Sequence, residues 1–136
     1  MNFFFDRNCP ERAARMIIGY EASHRVVYLD DEFRPETPDI DWLQALSKRP
    51  DQWAVISGDG AILRNQAERS VLRETNLTFF VLAKNWWNGE FHSRAVQLLK
   101  VWPFIVQAAL NARKPTVWKV PISSPQLDRI GLTSEL

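Results

Sequence analysis

Short apolar runs alternate with helically spaced apolar positions along this chain, and that alternation predicts its architecture. Residues 2–6 (Asn-Phe-Phe-Phe-Asp) read as a buried strand that ends on a carboxylate. Pro10 suits the first turn of a following helix, where its missing N–H costs little. Ala13, Ala14, Ile17 and Ile18 give that helix an apolar stripe, and Gly19 can stop it. A second β-rich run covers residues 25–29, and an acidic loop from Asp30 to Pro38 holds Pro35 and Pro38. Thr37 or Asp39 can cap the next helix, which turns Trp42, Leu43 and Leu46 inward.

Trp53 to Ser57 reads as a third strand, closed by Gly58-Asp59-Gly60. Residues 66–74 form an amphipathic helix with Ala67, Val71 and Leu72 inward, and Thr78 to Ala83 a fourth strand. Its unbroken run of Phe79, Phe80, Val81 and Leu82 predicts burial on both faces, the habit of parallel sheets. From Phe91 to Ala112 the spacing is helical again, with Pro103 expected to kink or split the helix. Val117 to Val120 is a last strand, and the tail from Pro121 reads as loose. Strands alternating with helices predict a three-layer α/β fold with a mostly parallel central sheet. The expected organisation is one domain over residues 1–136, with 84–113 a helical extension and 121–136 the loose tail.

Composition fits this picture. The chain has 136 residues, 46% hydrophobic and 24% charged, an ordinary globular balance that leaves little room for disorder. A net charge of +1 means that no global basic field attracts nucleic acid, so any such role falls to local clusters. The single cysteine, Cys9, rules out an internal disulfide and any paired-cysteine zinc site, and it fits a reducing cytoplasm. The start MNFFFDRNCP lacks the basic segment and the apolar run of about 7–15 residues of a secretory signal. No run approaches the ~20 apolar residues of a membrane helix. A cytoplasmic location and no membrane partner are therefore expected.

In an open parallel sheet, ligands bind beyond the carboxyl ends of the strands. Asp6 and Asp59 fall at two such ends, and Asp41 lies in the first turn of the helix leading to the third strand. Carboxylates converging at one rim repel one another unless a cation lies between them, and an oxygen-only set suits Mg²⁺ or Mn²⁺ rather than zinc. Such an ion can activate water against a phosphodiester. The competing reading for each acid is a helix cap, with Asp39 the better cap for its helix. Arg7 adjoins Asp6, and Arg64 with Asn65 follows Asp59, so either arginine is a candidate to hold a phosphate through its planar fork. A salt bridge to a neighbouring carboxylate or a solvated charge is the competing reading, and it is preferred for Arg12 and Arg69. Ser57 is placed to orient Asp59, or simply to bond at the strand end. His24 and His92 are far apart in sequence and pair with no cysteine, and Cys9 is best read as a small core residue. Trp86 and Trp87 cannot easily both face one core, so at least one is a candidate for a partner surface.

The runs FFFDRNCPERAAR, PETPDIDWLQAL and VISGDGAILRNQAERSVL, in this order and spacing, resemble the PIN-like toxin ribonucleases of VapC type. They are most similar to a compact branch with a C-terminal helical extension. The resemblance runs from about Asn2 to Leu82, and the later helical stretch and Thr116–Val120 also fit that branch. It implies a Mg²⁺- or Mn²⁺-dependent RNA endonuclease, the toxin of a toxin–antitoxin pair, neutralised by a small protein that wraps the active-site groove. The resemblance assigns the first-strand acid to Asp6 and the mid-chain helix acid to Asp41, with Asp39 beside it. The acid of a Thr/Ser-x-Asp pattern falls on Asp59 with Ser57 as the hydroxyl, and an Arg-Asn pair on Arg64 and Asn65. A fourth acid common in such nucleases is missing, since Gly60, Ala61 and Ile62 follow Asp59. That departure keeps open a catalytically inactive module that binds RNA or a protein. A response-regulator-like domain ranks below both, because the paired acids expected after its first strand are absent. The apolar, Trp-rich C-terminal helices make a homodimer an additional expectation.

Overall fold

In the computed structural model, which describes residues 1–58, 66–113, 115–123 and 126–130, six strands form one sheet in the order β2-β1-β3-β4-β5-β6. The strands are β1 (Asn2–Phe5), β2 (Arg25–Tyr28), β3 (Trp53–Ser57), β4 (Thr78–Leu82), β5 (Val117–Val120) and β6 (Asp128–Ile130). The first five run parallel, and β6 pairs antiparallel with β5. Helices α1 (Glu11–Tyr20), α2 (Asp39–Ser47), α3 (Gln66–Glu74) and α4 (Phe91–Asn111) cover the two faces. This is the three-layer, mostly parallel α/β arrangement that the alternating pattern predicts.

The central strands β1, β3 and β4 are almost wholly apolar because each face of the sheet carries its own core. Phe3, Phe5, Ala54, Ile56, Phe80 and Leu82 pack against Ala13, Ala14 and Ile17 of α1 and against Leu98, Val101, Trp102, Ile105 and Ala109 of α4. The alternate residues Phe4, Trp53, Val55, Phe79 and Val81 pack against Trp42, Leu43 and Leu46 of α2 and Leu72 of α3. Side chains on a strand alternate between faces, so a strand buried on both sides shows no polar positions. The Ala67 and Val71 side chains, read from the sequence as inward, lie outside the described residues.

The distribution of helices fixes a topological fact. The β1–α1–β2 connection moves one way across the sheet over one face, and β2–α2–β3 and β3–α3–β4 move the other way over the opposite face. These three share one hand. The β4–α4–β5 connection moves in the same direction as the latter two but lies on the face of α1, so its hand is reversed. Uniform right-handedness is the strong habit of short crossovers between parallel strands. Here 34 residues separate β4 from β5, ample length for α4 to cross beneath β1, where Trp102 stacks on Phe5 at 5.9 Å and meets Phe3 at 5.0 Å. The Trp102 indole N–H also donates to Glu21 at 2.9 Å, tying α4 to the end of α1.

Three details differ from the sequence reading. Pro103 does not split α4, which runs unbroken from Phe91 to Asn111. Pro103 is exposed, so the carbonyl one turn earlier that loses its partner can be solvated. Gly19 lies inside α1, and the chain turns at Glu21, whose carboxylate accepts the N–H groups of Ser23 and His24. The tail is not loose throughout, because Asp128–Ile130 adds an edge strand.

Candidate functional site

The sheet order reverses direction at β1, the central point where the chain first steps to β2 and then returns to β3. The crevice outside the carboxyl ends of β1 and β3 is therefore the expected binding position in a sheet of this kind. Asp6 sits there, one residue past β1, and is only 2% exposed. Its Oδ1 accepts two main-chain N–H groups, from Asn8 at 3.0 Å and from Gly58 at 3.2 Å. Both donors go to the same oxygen, which leaves Oδ2 without a backbone donor among the described residues.

Gly58 makes this clasp possible. A Cβ at position 58 would lie 2.2 Å from the Asn8 carbonyl oxygen and 2.7 Å from the Cys9 nitrogen. Only glycine lets the end of β3 press against the Asn8–Cys9 main chain closely enough to reach Asp6. Cys9 is buried there, its thiol against the Ile56 carbonyl at 3.8 Å, as the reading of a core cysteine requires. Ser57 is wholly buried beside Asp6. Its hydroxyl favours the charged form of the Asp6 carboxyl but makes no regular hydrogen bond among the described residues.

Burial pushes the Asp6 carboxyl up to about 7. The Ser57 hydroxyl and the Gly58 and Asn8 N–H groups oppose that rise, and the negative charge of Asp39 adds to it. A buried carboxyl facing a second acid has an unmet need for positive charge.

Asp39 is the acid of α2 whose charge Asp6 feels. Sequence reasoning made it the cap of its helix, yet Pro38 occupies the cap position with no side-chain cap bond, and Asp39 is the first helical residue. Its Oδ1 accepts the indole N–H of Trp42 at 2.9 Å. Trp42 is a fully buried residue, so this bond fixes the rotational phase of the first turn. Asp41, two residues on and so about 200° further round the helix, is exposed. Helix phase thus brings Asp39 toward Asp6 and leaves Asp41 facing solvent.

Arg7 donates from Nη1 to the Thr37 carbonyl at 3.0 Å, which holds the loop before α2 against the end of β1. Its Nε and Nη2 are buried and have no acceptor among the described residues. Asp59, Arg64 and Asn65 lie outside the described residues. Arg12 covers the ring of Phe91, its guanidinium carbon 3.7 Å from the ring centre, a cation–π contact that the sequence reading did not foresee.

The donor set fits a hard divalent cation. Asp6 and Asp39 offer carboxylate oxygens only, burial disfavours the charged form of Asp6 unless a cation faces it, and hard oxygen donors suit Mg²⁺ or Mn²⁺. No group of three or more His, Cys, Asp or Glu is close enough to hold a metal among the described residues, which do not include Asp59. Among those residues, too, no helix is long and apolar enough to cross a membrane.

A family model described as PIN like domain matches residues 1–84. No curated protein and no solved structure matches the chain.

Proposed function

This chain belongs to the PIN-like domain family, and from that footing we propose that it is an endoribonuclease that hydrolyses RNA with the help of Mg²⁺ or Mn²⁺. PIN-like domains are in general nucleases. The observation that carries the reading is the buried Asp6 carboxyl, clasped at the switch point of the sheet with the charge of Asp39 upon it.

Asp6 and Asp39, with Asp59 as the third acid, are the residues that would hold the ion. Asp41 is the alternative on α2. When bound, the ion supplies Lewis acidity toward a phosphodiester and makes water more acidic. The chain's own residues do the rest. The Asn8 and Gly58 N–H groups lock Asp6 in one orientation, so no reorganisation is needed as charge develops. Trp42 does the same for Asp39. Arg7 anchors the loop before α2 through Thr37, and its buried Nε and Nη2, without an acceptor among the described residues, are candidates to meet a phosphate oxygen, with Arg64 and Asn65 the further candidates. Ser57 steadies the carboxyl edge.

On the same reading the enzyme is a VapC-type toxin. RNA is its substrate, a small antitoxin protein its neutralising partner, the cytoplasm its location and a homodimer its assembly. The test is cleavage of single-stranded RNA in Mn²⁺ or Mg²⁺ by the parent chain and by Asp59→Asn. The variant should keep the parent's circular-dichroism melt and lose cleavage; equal cutting by both would refute the site.

A further inference from the structure

A pocket of about 340 Å³ opens beside the acids and is lined by Asn8, Gly58, Lys84, Asn85, Trp86, Trp87 and Asn88. Resting on the nuclease reading, we propose that this pocket seats one unpaired nucleobase of the RNA strand next to the bond being cut and sets the base preference of the enzyme.

Continuity with the acid site is the first argument. Asn8 and Gly58 hold the Asp6 carboxylate through their N–H groups, and the same two residues form one wall of the pocket. A strand with a phosphate at Asp6 would therefore present its neighbouring nucleotide here. The volume lies at the small end of the ~300–1,000 Å³ typical of ligand pockets, right for one nucleotide and too small for a protein side to dock.

Chemistry is the second argument. Recognition of single-stranded RNA combines stacking on aromatic rings with hydrogen bonds to base edges and a cation for the backbone. Trp87 provides an indole, with its N–H buried and unpartnered among the described residues. It stacks on Phe91 at 5.8 Å, and Phe91 in turn carries Arg12, so the ring is braced rather than free to swing. Asn88 donates to the Asn85 side-chain carbonyl at 2.9 Å. That bond leaves an amide donor on Asn85 and a carbonyl acceptor on Asn88, a pair suited to a base edge. Asn85 holds a left-handed backbone with φ of 66°, a conformation that asparagine tolerates better than most residues. It turns the chain so that Trp86 plugs the core while Trp87 reaches the pocket. Lys84, exposed at the mouth, supplies the cation.

The test is binding of fluorescein-labelled ten-nucleotide single-stranded RNAs of each base type to the whole chain in EDTA, read by anisotropy. Trp87→Leu should weaken binding roughly 5- to 100-fold, the range for loss of one stacked base, whereas Trp87→Phe should stay within about 3-fold of the parent. Lys84→Met should weaken all four RNAs alike, and Asn88→Ala should flatten the preference among them. Lys84 and Asn88 are exposed, so these variants keep the test open even if Trp87→Leu unfolds. Parent-like affinity and preference in Lys84→Met and Asn88→Ala would overturn the pocket, as would a parent chain that binds none of the RNAs. A parallel cleavage assay in Mn²⁺ separates the two readings. Cleavage with unaltered variant binding sinks the pocket alone, while variant-sensitive binding without cleavage sinks the nuclease and keeps the pocket.

Discussion

The main-chain N–H of Gly58 reaches Oδ1 of Asp6 across 3.2 Å, joining the ends of two strands through one carboxylate. The approach that permits this bond leaves no room for a side chain. Gly58→Ala should therefore cost on the order of 3 kcal/mol or more, because the added methyl meets main-chain atoms rather than a movable side chain. Urea unfolding at pH 7 measures it, and a cost below about 1 kcal/mol would show that the strand end shifts easily.

Asp6 also sets a pH dependence. Its carboxyl rises from an ordinary 3.8 to about 7 on folding, so the folded chain holds the proton more tightly than the unfolded one. The associated stability is complete below about pH 4, declines as pH rises and is gone above about 7, a loss of about 4 kcal/mol at most. Asp6→Asn keeps an oxygen for both N–H donors and carries no charge. Without divalent ions it should therefore melt higher than the parent at pH 8 and close to it at pH 4. Adding Mn²⁺ should raise the parent's melting temperature and leave the variant's unchanged.

The two acids of α2 should separate cleanly. Asp39→Asn is expected to lower Mn²⁺-dependent RNA cleavage by about 10²–10³-fold, the scale for losing one preorganised electrostatic group. Asp41→Asn should stay within about 3-fold of the parent, since that side chain faces solvent. Initial rates on one labelled RNA decide between them, and the reverse ranking would favour Asp41, the helix acid assigned from sequence.

That assignment shows where sequence reasoning stops. Strands buried on both faces announce themselves as runs such as Phe3-Phe4-Phe5, and a carboxylate at the end of such a run, Asp6, stands out. The choice between Asp39 and Asp41 depends on helix phase, which is set by the bond from Trp42 and by the loop that Arg7 holds. The need for glycine at 58 depends on the passage of Asn8 and Cys9, fifty positions earlier. Asp128-Arg129-Ile130 has too little apolar pattern to announce a strand and forms one only because β5 offers an open edge. Whether Pro103 kinks or splits its helix is not decided by sequence, because a missing N–H has no visible context there; its exposure supplies that context, and the helix does not split.

Trp102 links α4 to the first strand through two aromatic contacts. Trp102→Ala removes its contacts with Phe3 and Phe5 and its bond to Glu21, and should cost on the order of 3–5 kcal/mol. Differential scanning calorimetry tests this, and a cost under 1 kcal/mol would mean that α4 adds little to that face.

The reversed connection through α4 has a consequence for synthesis on the ribosome. Phe3, Phe5, Ile56, Phe80 and Leu82 are all translated before the helix that covers them. Until residues 91–111 emerge, α1 alone covers that side of the nascent sheet, and the part that α4 will cover stays open to water. The 84-residue stretch that carries the family likeness ends before that helix, so excised at its boundary it should expose this apolar surface and tend to aggregate.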